Sequence, residues 1–251
     1  MRKPFQGVFN IIRFNWHYFL ISVIIGIAIL FIYPEVSPIL ATGLKSLLIF
    51  LILTTTISLI VSTYIYDFSD LYSLSWTGDS DLNKKQEIVN INAGFDETSF
   101  LIEQKFPAAD LHVFDFYNPD KHTEVSIKRA RRAYPPFPGT QSVSTNALTM
   151  ASNTAAKIFC IFSAHEIRDD EERVLFLKEL HRVLSDDGEI MITEHLRDVP
   201  NFLAYNIGFF HFHSKSTWMN AFYEAGLNVS RQIKTTPFIT TFILHKNATS
   251  Y

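Results

Sequence analysis

The chain is poor in cysteine and has no long run of basic residues. Its 251 residues include a single cysteine, Cys160, so no disulfide can form within one chain. A net charge of -3 without a basic run argues against a nucleic-acid-binding surface as the main function. The one basic cluster, within residues 128–132, is typical of a solvated helix face, and the alternative is a patch that faces lipid headgroups or an anionic ligand.

Glycine is scarce where a nucleotide-binding loop would be expected. The stretch INAGFDETSF (residues 91–100) follows an apolar run and precedes a helix-like segment, yet Gly94 is its one glycine. Phosphate-cradling and dinucleotide-binding turns normally contain several glycines, because a residue without a Cβ lets the backbone turn sharply and approach a ligand. The absence of a G-x-G-x-x-G pattern disfavours a nicotinamide-dependent reductase.

Apolar residues are instead abundant near the N-terminus. The run WHYFLISVIIGIAILFIY (residues 16–33) has no acidic or strongly basic residue, and roughly 18–20 helical residues suffice to cross the hydrocarbon core of a bilayer. A turn, PEVSP, separates it from a second apolar run over residues 44–66. Because lipid cannot satisfy open backbone, the two runs predict a transmembrane helical hairpin, which we assign to residues 1–66.

Charge orients this predicted hairpin. Arg2, Lys3 and Arg13 precede the first span, whereas the short loop offers only Glu35, so we expect the N-terminus in the cytoplasm. A hairpin returns the chain to its starting side, which predicts an integral membrane protein with its large C-terminal region on the cytoplasmic side. A cleaved signal peptide is the competing interpretation, but no small-residue cleavage site follows the first run and a second apolar run comes at once.

After a predicted polar linker (residues 67–86), short apolar runs alternate with longer amphipathic ones. Strand-like runs begin at residues 87, 109, 140, 155 and 188, and helix-like runs begin at residues 97, 125 and 171. The alternation predicts an α/β fold, a doubly wound and mainly parallel sheet with helices on its faces. The last two strand-like runs, residues 228–235 and 238–246, have so short a connection that they predict an antiparallel C-terminal hairpin.

Residues 163–198, SAHEIRDDEERVLFLKELHRVLSDDGEIMITEHLRD, carry a family likeness. A strand and a short loop lead into a helix that ends in LHRVLSDDG, and a strand ending in an acidic residue follows. Together with the strand order and the final hairpin, this segment resembles the class I S-adenosylmethionine-dependent methyltransferases over residues 87–246. The resemblance implies a seven-stranded, Rossmann-like methyltransferase domain, which we assign to residues 87–251, and S-adenosyl-L-methionine as its cofactor.

The resemblance also implies which residues bind the cofactor. The family pattern of an acidic residue followed by G-x-G-x-G falls on residues 90–96, where asparagine and aspartate, which tolerate left-handed backbone, replace glycine. Asp115 stands where a carboxylate accepts both ribose hydroxyls, although a lone aspartate at a strand end is as typical of a turn. Phe116 would line the adenine and Asn146 would contact its amine. The predicted cofactor-binding residues are Asn90, Asn92, Ala93, Gly94, Asp115, Phe116, Asn146 and Ser163.

Methyl transfer from a sulfonium is an in-line displacement, so the protein has to align a nucleophile and, for a hydroxyl or amine acceptor, remove a proton. By the same resemblance, residues after the fourth strand face the substrate, and a histidine there can act as a base near neutral pH. The predicted catalytic residues are His165, Glu166, Glu194 and His195. The alternative is that His165 and Glu166 make structural hydrogen bonds in the turn that follows.

Three histidines near the C-terminus, His195, His211 and His213, raise the hypothesis of a metal site. Against it, His211 and His213 lie in an aromatic-rich loop without tight cysteine or carboxylate pairing, so no metal site is predicted. The surrounding segment PNFLAYNIGFFHFH (residues 200–213) is interpreted as a lid or a membrane-touching insert that closes over an apolar acceptor. The alternative is a core helix.

These features predict a membrane-anchored methyltransferase that transfers a methyl group to oxygen or carbon of a lipophilic small molecule or lipid. A membrane tether raises the effective concentration of an enzyme toward substrates that partition into the bilayer. The glycine-poor loop motivates the alternative, a catalytically degenerate methyltransferase-like module that serves as a membrane-tethered binding or assembly partner. The expected partners are the bilayer and the acceptor, with no nucleic acid, and the oligomeric state is left open.

Overall fold

A computed structural model describes residues 3–78, 83–122 and 124–247. Part of the predicted linker, residues 79–82, and the end of the predicted domain, residues 248–251, lie outside the described residues. The chain begins with two long helices, α1 Gln6–Ile32 and α2 Pro38–Thr63, which are separated by a short 3-10 turn, Tyr33–Glu35. Both helices are long and apolar enough to cross a membrane, and their most apolar stretches are almost entirely unburied by protein.

Two prolines mark the turn between the end of α1 and the start of α2. Pro34 lies in the turn, and Pro38 occupies the first turn of α2, where a missing backbone N–H is tolerated. Both helices leave most of their large apolar side chains exposed, as Phe31 and Ile39 are with 77% and 88% exposure. A helix that is apolar all round requires a protein core or lipid around it, so these faces fit the predicted hairpin.

Helix α1 changes character at Asn15, which has non-helical backbone angles (φ -112°, ψ 17°). Before this kink, Asn10 and Phe14 are buried against the C-terminal domain. The Phe14 ring lies 5.5 Å from the Phe95 ring, and the Asn10 amide contacts Glu97 and Tyr134. The kink therefore separates a domain-packed segment from residues 16–33, the predicted first span.

The rest of the chain forms a seven-stranded sheet surrounded by helices. The strands are β1 Glu87–Asn92, β2 Asp110–Asp115, β3 Gln141–Ser142, β4 Ala155–Ile161, β5 Leu184–His195, β6 Leu227–Thr236 and β7 Ile239–Lys246. The helices are α3 Ser99–Lys105, α4 Val125–Ala133, α5 Asp170–Val183, α6 Val199–Tyr205 and α7 Lys215–Glu224. The strand order is β3-β2-β1-β4-β5-β7-β6, and β7 runs antiparallel to both of its neighbours. This arrangement confirms the predicted α/β class, the mainly parallel sheet and the C-terminal hairpin.

Two strands differ from the sequence-based prediction. The third strand has two residues, because the chain leaves the sheet after Ser142 and makes only an isolated bridge from Ser144 to Ala147. Strand β5 begins at Leu184 rather than Gly188, since Leu184 already pairs with Ala155 before the register shifts. A Cβ on Gly188 would lie 2.8 Å from the Ala155 carbonyl oxygen, so glycine permits the close approach of β4 and β5.

The hydrophobic core lies between the sheet and its helices. Helix α5 begins at Asp169, whose side chain accepts a hydrogen bond from the backbone N–H of Glu172, and its first turn is acidic, as the helix dipole favours. Helix α5 buries Phe176, Leu177, Leu180 and Val183 against the sheet, and α7 buries Trp218. At about 25 cal/mol per Å² of apolar surface, each of these large side chains contributes roughly 1.5–3 kcal/mol.

The predicted polar linker is partly integrated into the fold. Leu71, Leu74 and Trp76 are buried, and the Trp76 indole N–H donates to the Leu71 carbonyl. Asp67, the first residue of this linker, connects the end of α2 to the start of α1. Its carboxylate accepts hydrogen bonds from the backbone N–H groups of Gly7 and Val8 at 2.7 and 2.9 Å. These N–H groups belong to the first turn of α1, where an anion is favourable.

Replacement of Asp67 by alanine should therefore destabilise the protein. Two N–H groups at the start of α1 would lose a charged acceptor, at an expected cost of about 2 kcal/mol in the free energy of unfolding. Thermal and denaturant unfolding in detergent measure this change. Asp70→Ala removes an exposed carboxylate three residues away and is the matched control; equal stability of the two variants would contradict the proposed cap.

Candidate functional site

The carboxyl ends of β1, β2, β4 and β5 lie at one edge of the sheet, which is where ligands bind in open α/β sheets. The structure brings the loops after these strands together there. The Ser163 hydroxyl, which follows β4, donates to the Ile91 carbonyl of β1 at 2.7 Å. Ala93, which follows β1, packs in the hydrophobic core, so its side chain is directed away from any ligand.

Polar side chains hold the glycine-poor loop after β1 in shape. Gly94 has a φ of +94°, and its backbone N–H donates to Asn92 Oδ1 at 3.0 Å. Asp96 Oδ1 accepts from the backbone N–H of Ser99 at 2.9 Å, and Asn90 Nδ2 donates to the Ser99 hydroxyl at 2.8 Å. The bond between Asn92 and Gly94 is that of an Asx turn, in which a side chain substitutes for a backbone partner.

Three polar atoms of this loop are buried and have no hydrogen-bond partner in the part of the chain that the structure describes: Asn90 Oδ1, Asn92 Nδ2 and Asp96 Oδ2. An unpaired buried polar group costs roughly 1–3 kcal/mol, so a ligand that pairs with these atoms gains their stabilisation. The set offers two acceptors and one donor. It fits the amino-acid end of S-adenosylmethionine, which has an ammonium group for the oxygens and a carboxylate for the amide N–H.

Asp115 ends β2, as predicted, and Arg131 of α4 pairs with it. One carboxylate oxygen accepts from the backbone N–H of Tyr117 at 2.9 Å, and the other forms a short ion pair with Arg131. The guanidinium also lies over the Tyr117 ring, 4.3 Å from its centroid. A Cβ on Gly94 would be 2.8 Å from Arg131 Nη1, so this side chain covers both Gly94 and Asp115.

A cleft of about 950 Å³ adjoins this covered region. Phe116 and Asn146, the two residues predicted near adenine, line one part of it, and Glu166 lines another. Phe116 is buried against Phe176, whereas Asn146 is exposed and accepts from the Ser144 hydroxyl at 3.0 Å. The cleft therefore connects the predicted adenine side to the predicted catalytic residues.

Three of the four predicted catalytic residues form one cluster. His165 Nδ1 lies 2.6 Å from Glu194 Oε2, and His165 Nε2 lies 3.2 Å from Glu166 Oε1. His211 joins them, because its Nδ1 is 2.8 Å from Glu124 Oε1 and its Nε2 is 3.8 Å from Glu166 Oε1. The cluster thus joins the ends of β4 and β5, the start of α4 and the loop before α7.

Burial and charge oppose one another in this cluster. Burial favours the neutral imidazole of His165, but the carboxylates of Glu194 and Glu166 outweigh it and raise its pKa to about 10. Burial also opposes ionisation of Glu166, yet hydrogen bonds with His165 and His211 hold its pKa well below the usual range. The two carboxylates therefore favour the imidazolium form of His165, and its action as a base requires one of these contacts to be exchanged.

His195, the fourth predicted catalytic residue, lies on the opposite face of β5 from Glu194, as the alternation of a strand requires. Its Nδ1 lies 2.9 Å from Asn201 Oδ1 and its Nε2 lies 2.8 Å from the Tyr66 hydroxyl. Because the amide oxygen is an acceptor, Nδ1 carries the hydrogen and Nε2 accepts from Tyr66. His195 thus connects the end of the second apolar helix to α6 and does not join the cluster.

The expectation that His211 lacks a carboxylate partner is wrong, since Glu124 and Glu166 both face it. His213 conforms to that expectation: it is buried, and its nearest charged contact is Arg173 Nη1 at 3.1 Å. Glu124 and Arg131 were not predicted as site residues. Glu124 lies directly before α4 and Arg131 lies on it, and the basic cluster around Arg131 was their one visible signal.

Several solved structures have folds similar to this one. A SAM-dependent methyltransferase from Aquifex aeolicus is 14% identical with a TM-score of 0.50, over 76% of this chain and 97% of that one. One from Methanosarcina mazei is 14% identical with a TM-score of 0.51, over 71% and 99%. N,N-8-amino-8-demethyl-D-riboflavin dimethyltransferase from Streptomyces davawensis is 8% identical with a TM-score of 0.52, over 76% and 56%. At these identities the likeness shows the fold alone, and it confirms the Rossmann-like methyltransferase fold.

Sequence comparisons add nothing to this result. No protein-family model matches the chain. No curated protein matches it either.

The buried position of His195 predicts a specific pH dependence of stability. Burial lowers its pKa from 6.5 to about 3, so below pH 6.5 the unfolded chain binds a proton that the folded protein excludes. Its contribution to the free energy of unfolding is complete above pH 6.5 and falls by about 1.4 kcal/mol per pH unit below it.

Denaturant unfolding of the protein and of His195→Gln over the acidic range measures this slope. As the pH falls, the free energy of unfolding of the variant should decrease less steeply than that of the protein. The difference in slope should be about 1.4 kcal/mol per pH unit, which corresponds to one proton. Above neutral pH, where the imidazole is uncharged in both states, the two slopes should be equal, which provides the internal control. Parallel curves throughout would show that His195 accepts a proton in the folded protein.

Proposed function

We propose that this protein is an S-adenosylmethionine-dependent methyltransferase that α1 and α2 anchor in a membrane, and that it methylates oxygen or carbon of a lipophilic acceptor. The observation that carries the proposal is that Asn90, Asn92 and Asp96, in the loop after β1, each have a buried polar atom without a partner among the described residues. Solved proteins with the same fold are described as SAM-dependent methyltransferases, which supports this choice of ligand.

Distinct residues would hold each part of the cofactor. The loop after β1 would bind the amino-acid end, Asp115 would accept the ribose hydroxyls, and Phe116 and Asn146 would contact the adenine. When bound, S-adenosylmethionine supplies an electrophilic methyl group on its sulfonium. For the ribose to reach Asp115, the Arg131 side chain has to move; it is 39% exposed, so it can turn toward solvent.

The acceptor would bind beside His165 and Glu166. Glu194 holds the His165 ring through Nδ1, as an orienting carboxylate does for a histidine base. Glu166 lines the cleft and contacts the other ring nitrogen, so an acceptor hydroxyl that replaces this contact would meet His165 Nε2 directly. In this role His165 takes the acceptor proton and Glu194 stabilises the resulting imidazolium.

An apolar surface supports a lipophilic acceptor and the membrane-touching interpretation of residues 200–213. Helix α6 packs on α2, and it buries Asn201 and Ala204 while its other side stays exposed. A 3-10 helix, Asn206–His211, follows α6. The large exposed apolar side chains on the two elements are Val199, Phe202, Leu203, Ile207 and Phe210. A short amphipathic element of this kind beside a membrane span is suited to the bilayer interface. The 3-10 helix ends at His211, so this surface leads to the cluster.

Calorimetric titration of the detergent-solubilised protein with S-adenosylmethionine and S-adenosylhomocysteine tests the proposal. We expect micromolar binding, and Asp115→Ala should weaken it by about 10- to 100-fold, because hydrogen bonds to a charged group contribute roughly 1.5–3 kcal/mol. Asp110→Ala, at the exposed start of the same strand, is the control. Absence of binding to the folded protein would refute the proposed activity.

One observation favours a second candidate, the degenerate module that binds or assembles without catalysis. Arg131 neutralises Asp115 and packs against Gly94, so the carboxylate that the ribose of a cofactor requires already has a partner within the chain. In this alternative the ion pair is a permanent structural contact that holds α4 on the sheet.

Arg131→Gln separates the two candidates. If Arg131 is a movable cover, its removal frees Asp115, and the affinity for S-adenosylmethionine should rise by roughly 3- to 10-fold, since an ion pair that is exposed on its arginine side is worth about 1 kcal/mol. Arg132→Gln, at the exposed neighbouring position, should leave the affinity unchanged. Failure of both the protein and Arg131→Gln to bind would favour the degenerate module, and weaker binding by Arg131→Gln would show that the guanidinium is part of the site.

A further inference from the structure

Two histidines from distant parts of the chain present a ring nitrogen to the same carboxylate oxygen. His165 Nε2 lies 3.2 Å from Glu166 Oε1, and His211 Nε2 lies 3.8 Å from it. One ligand atom from each of the three residues lies within 4.8 Å of the others. His165 and Glu166 follow β4, whereas His211 ends the segment after α6, so tertiary folding alone brings these atoms together.

A carboxylate orients each of the two rings from the other side. Glu194 Oε2 lies 2.6 Å from Nδ1 of His165, and Glu124 Oε1 lies 2.8 Å from Nδ1 of His211. Each carboxylate can accept the Nδ1 hydrogen, so an ion that displaces the Nε2 proton would meet a lone pair directed toward Glu166. Carboxylates placed behind histidines in this way are the usual outer partners of metal-binding imidazoles, because they fix the tautomer and the ring orientation.

We propose that His165, Glu166 and His211 bind one divalent transition-metal ion, with Glu194 and Glu124 as the outer carboxylates. Two imidazole nitrogens and one carboxylate oxygen are a ligand set that suits Zn²⁺ or Fe²⁺ better than Mg²⁺ or Ca²⁺, which prefer oxygen ligands. The site also explains why three carboxylates and two histidines share a mostly buried volume beside the cleft.

The spacing of the ligand atoms agrees with such an ion. Ligands at about 2.0–2.2 Å from Zn²⁺ in a tetrahedral arrangement lie roughly 3.3–3.6 Å apart. The contacts to Glu166 Oε1, 3.2 and 3.8 Å, bracket this separation, so small side-chain movements suffice. The backbone N–H of His165 also donates to Glu194 at 3.2 Å, which limits the movement of that ring.

Three protein ligands leave at least one coordination position open, which is typical of catalytic rather than structural zinc. Glu166 lines the cleft, so the open position would face the same space as a ligand bound there. A bound ion lowers the pKa of a coordinated water or hydroxyl, and an oxygen-bearing molecule is therefore the class of ligand expected at this position. With an ion bound, His165 Nε2 would be a ligand rather than a base, and the lowered pKa of a coordinated hydroxyl would take over the part in proton removal proposed above for His165. Metal binding itself does not depend on the proposed methyl transfer.

Arg168 is the competitor for this site. Its guanidinium contacts the His211 ring, with Nη2 at 2.8 Å from Nε2, and it also lies 3.7 Å from Glu124. The alternative to a metal site is therefore a network of ion pairs in which Arg168 provides the positive charge. The Arg168 side chain is 42% exposed, so it can leave the His211 nitrogen without opening the core.

The experiment uses the full-length protein in detergent after removal of metal by a chelator. Zn²⁺ is titrated in competition with a chromophoric chelator, and Co²⁺ is added in parallel because its visible absorption reports the ligands around it. We expect one ion per chain and a Co²⁺ spectrum typical of four or five ligands. Arg168→Ala, which removes the competitor, should bind Zn²⁺ at least as tightly.

Variants of the cluster distinguish ligands from outer partners. Glu166→Gln and His211→Ala should weaken Zn²⁺ binding by about 100-fold or more and change the Co²⁺ spectrum, and Glu124→Gln should weaken it by roughly 10- to 100-fold. His245→Ala, in the last strand, is the control and should bind as the unchanged protein does. His211 is partly exposed, so His211→Ala tests the site even if Glu166→Gln does not fold.

Two results would overturn the proposal: no Zn²⁺ or Co²⁺ binding by the folded protein, or an unchanged Co²⁺ spectrum in His211→Ala. Circular dichroism and titration with S-adenosylmethionine, measured on the same samples, report folding and cofactor binding separately. If the folded protein binds S-adenosylmethionine but no metal ion, the metal proposal alone is refuted. If it binds the metal ion but no S-adenosylmethionine, the proposed methyltransferase activity alone is refuted.

Discussion

Parallel pairing of β1, β2, β4 and β5 is the constraint from which the rest of the site follows. Parallel neighbours require crossovers, and crossovers place all four carboxyl ends on one edge of the sheet. Asp115, His165 and Glu194 meet there although they are widely separated in sequence. Gly188 permits the close approach of β4, which leads into His165, and β5, which carries Glu194. An error in that pairing would move both sides of the cluster.

Helix α4 connects three parts of the molecule that the sheet alone would leave separate. At its start, Glu124 contacts His211; further along, Arg129 donates to the Phe14 carbonyl of α1 at 2.6 Å, and Arg131 pairs with Asp115. Little of this helix is buried, so these polar contacts rather than core packing hold it on the domain. A movement of α4 would therefore affect Asp115, the histidine cluster and the domain-packed segment of α1 together.

The sequence predicts those parts of the fold whose pattern is local. The helical period of α5, the apolar run of β4 and the short connection between β6 and β7 were each sufficient to locate their elements. The length of β3 was overestimated, because the number of residues within 140–148 that pair with the sheet depends on tertiary contacts and not on a local pattern. The domain-packed segment before Asn15 was not recognised, since apolar residues that face protein and apolar residues that face lipid give the same sequence pattern.

The difference between local sequence patterns and tertiary contacts also explains which site residues could be predicted. Asp115 and Glu194 end strands and were found by position, whereas Glu124 and Arg131 reach the site from a helix whose orientation no local pattern fixes. His195 shows the converse: it follows Glu194 directly, yet the alternation of β5 turns it toward Tyr66 and Asn201. Adjacent residues at a strand end therefore have different surroundings, one in the histidine–carboxylate cluster and the other at the contact between the segment after α2 and α6. The scarcity of glycine after β1 has a related explanation, because Asn92 and Asp96 supply by hydrogen bonding the turn that glycines would supply by conformational freedom.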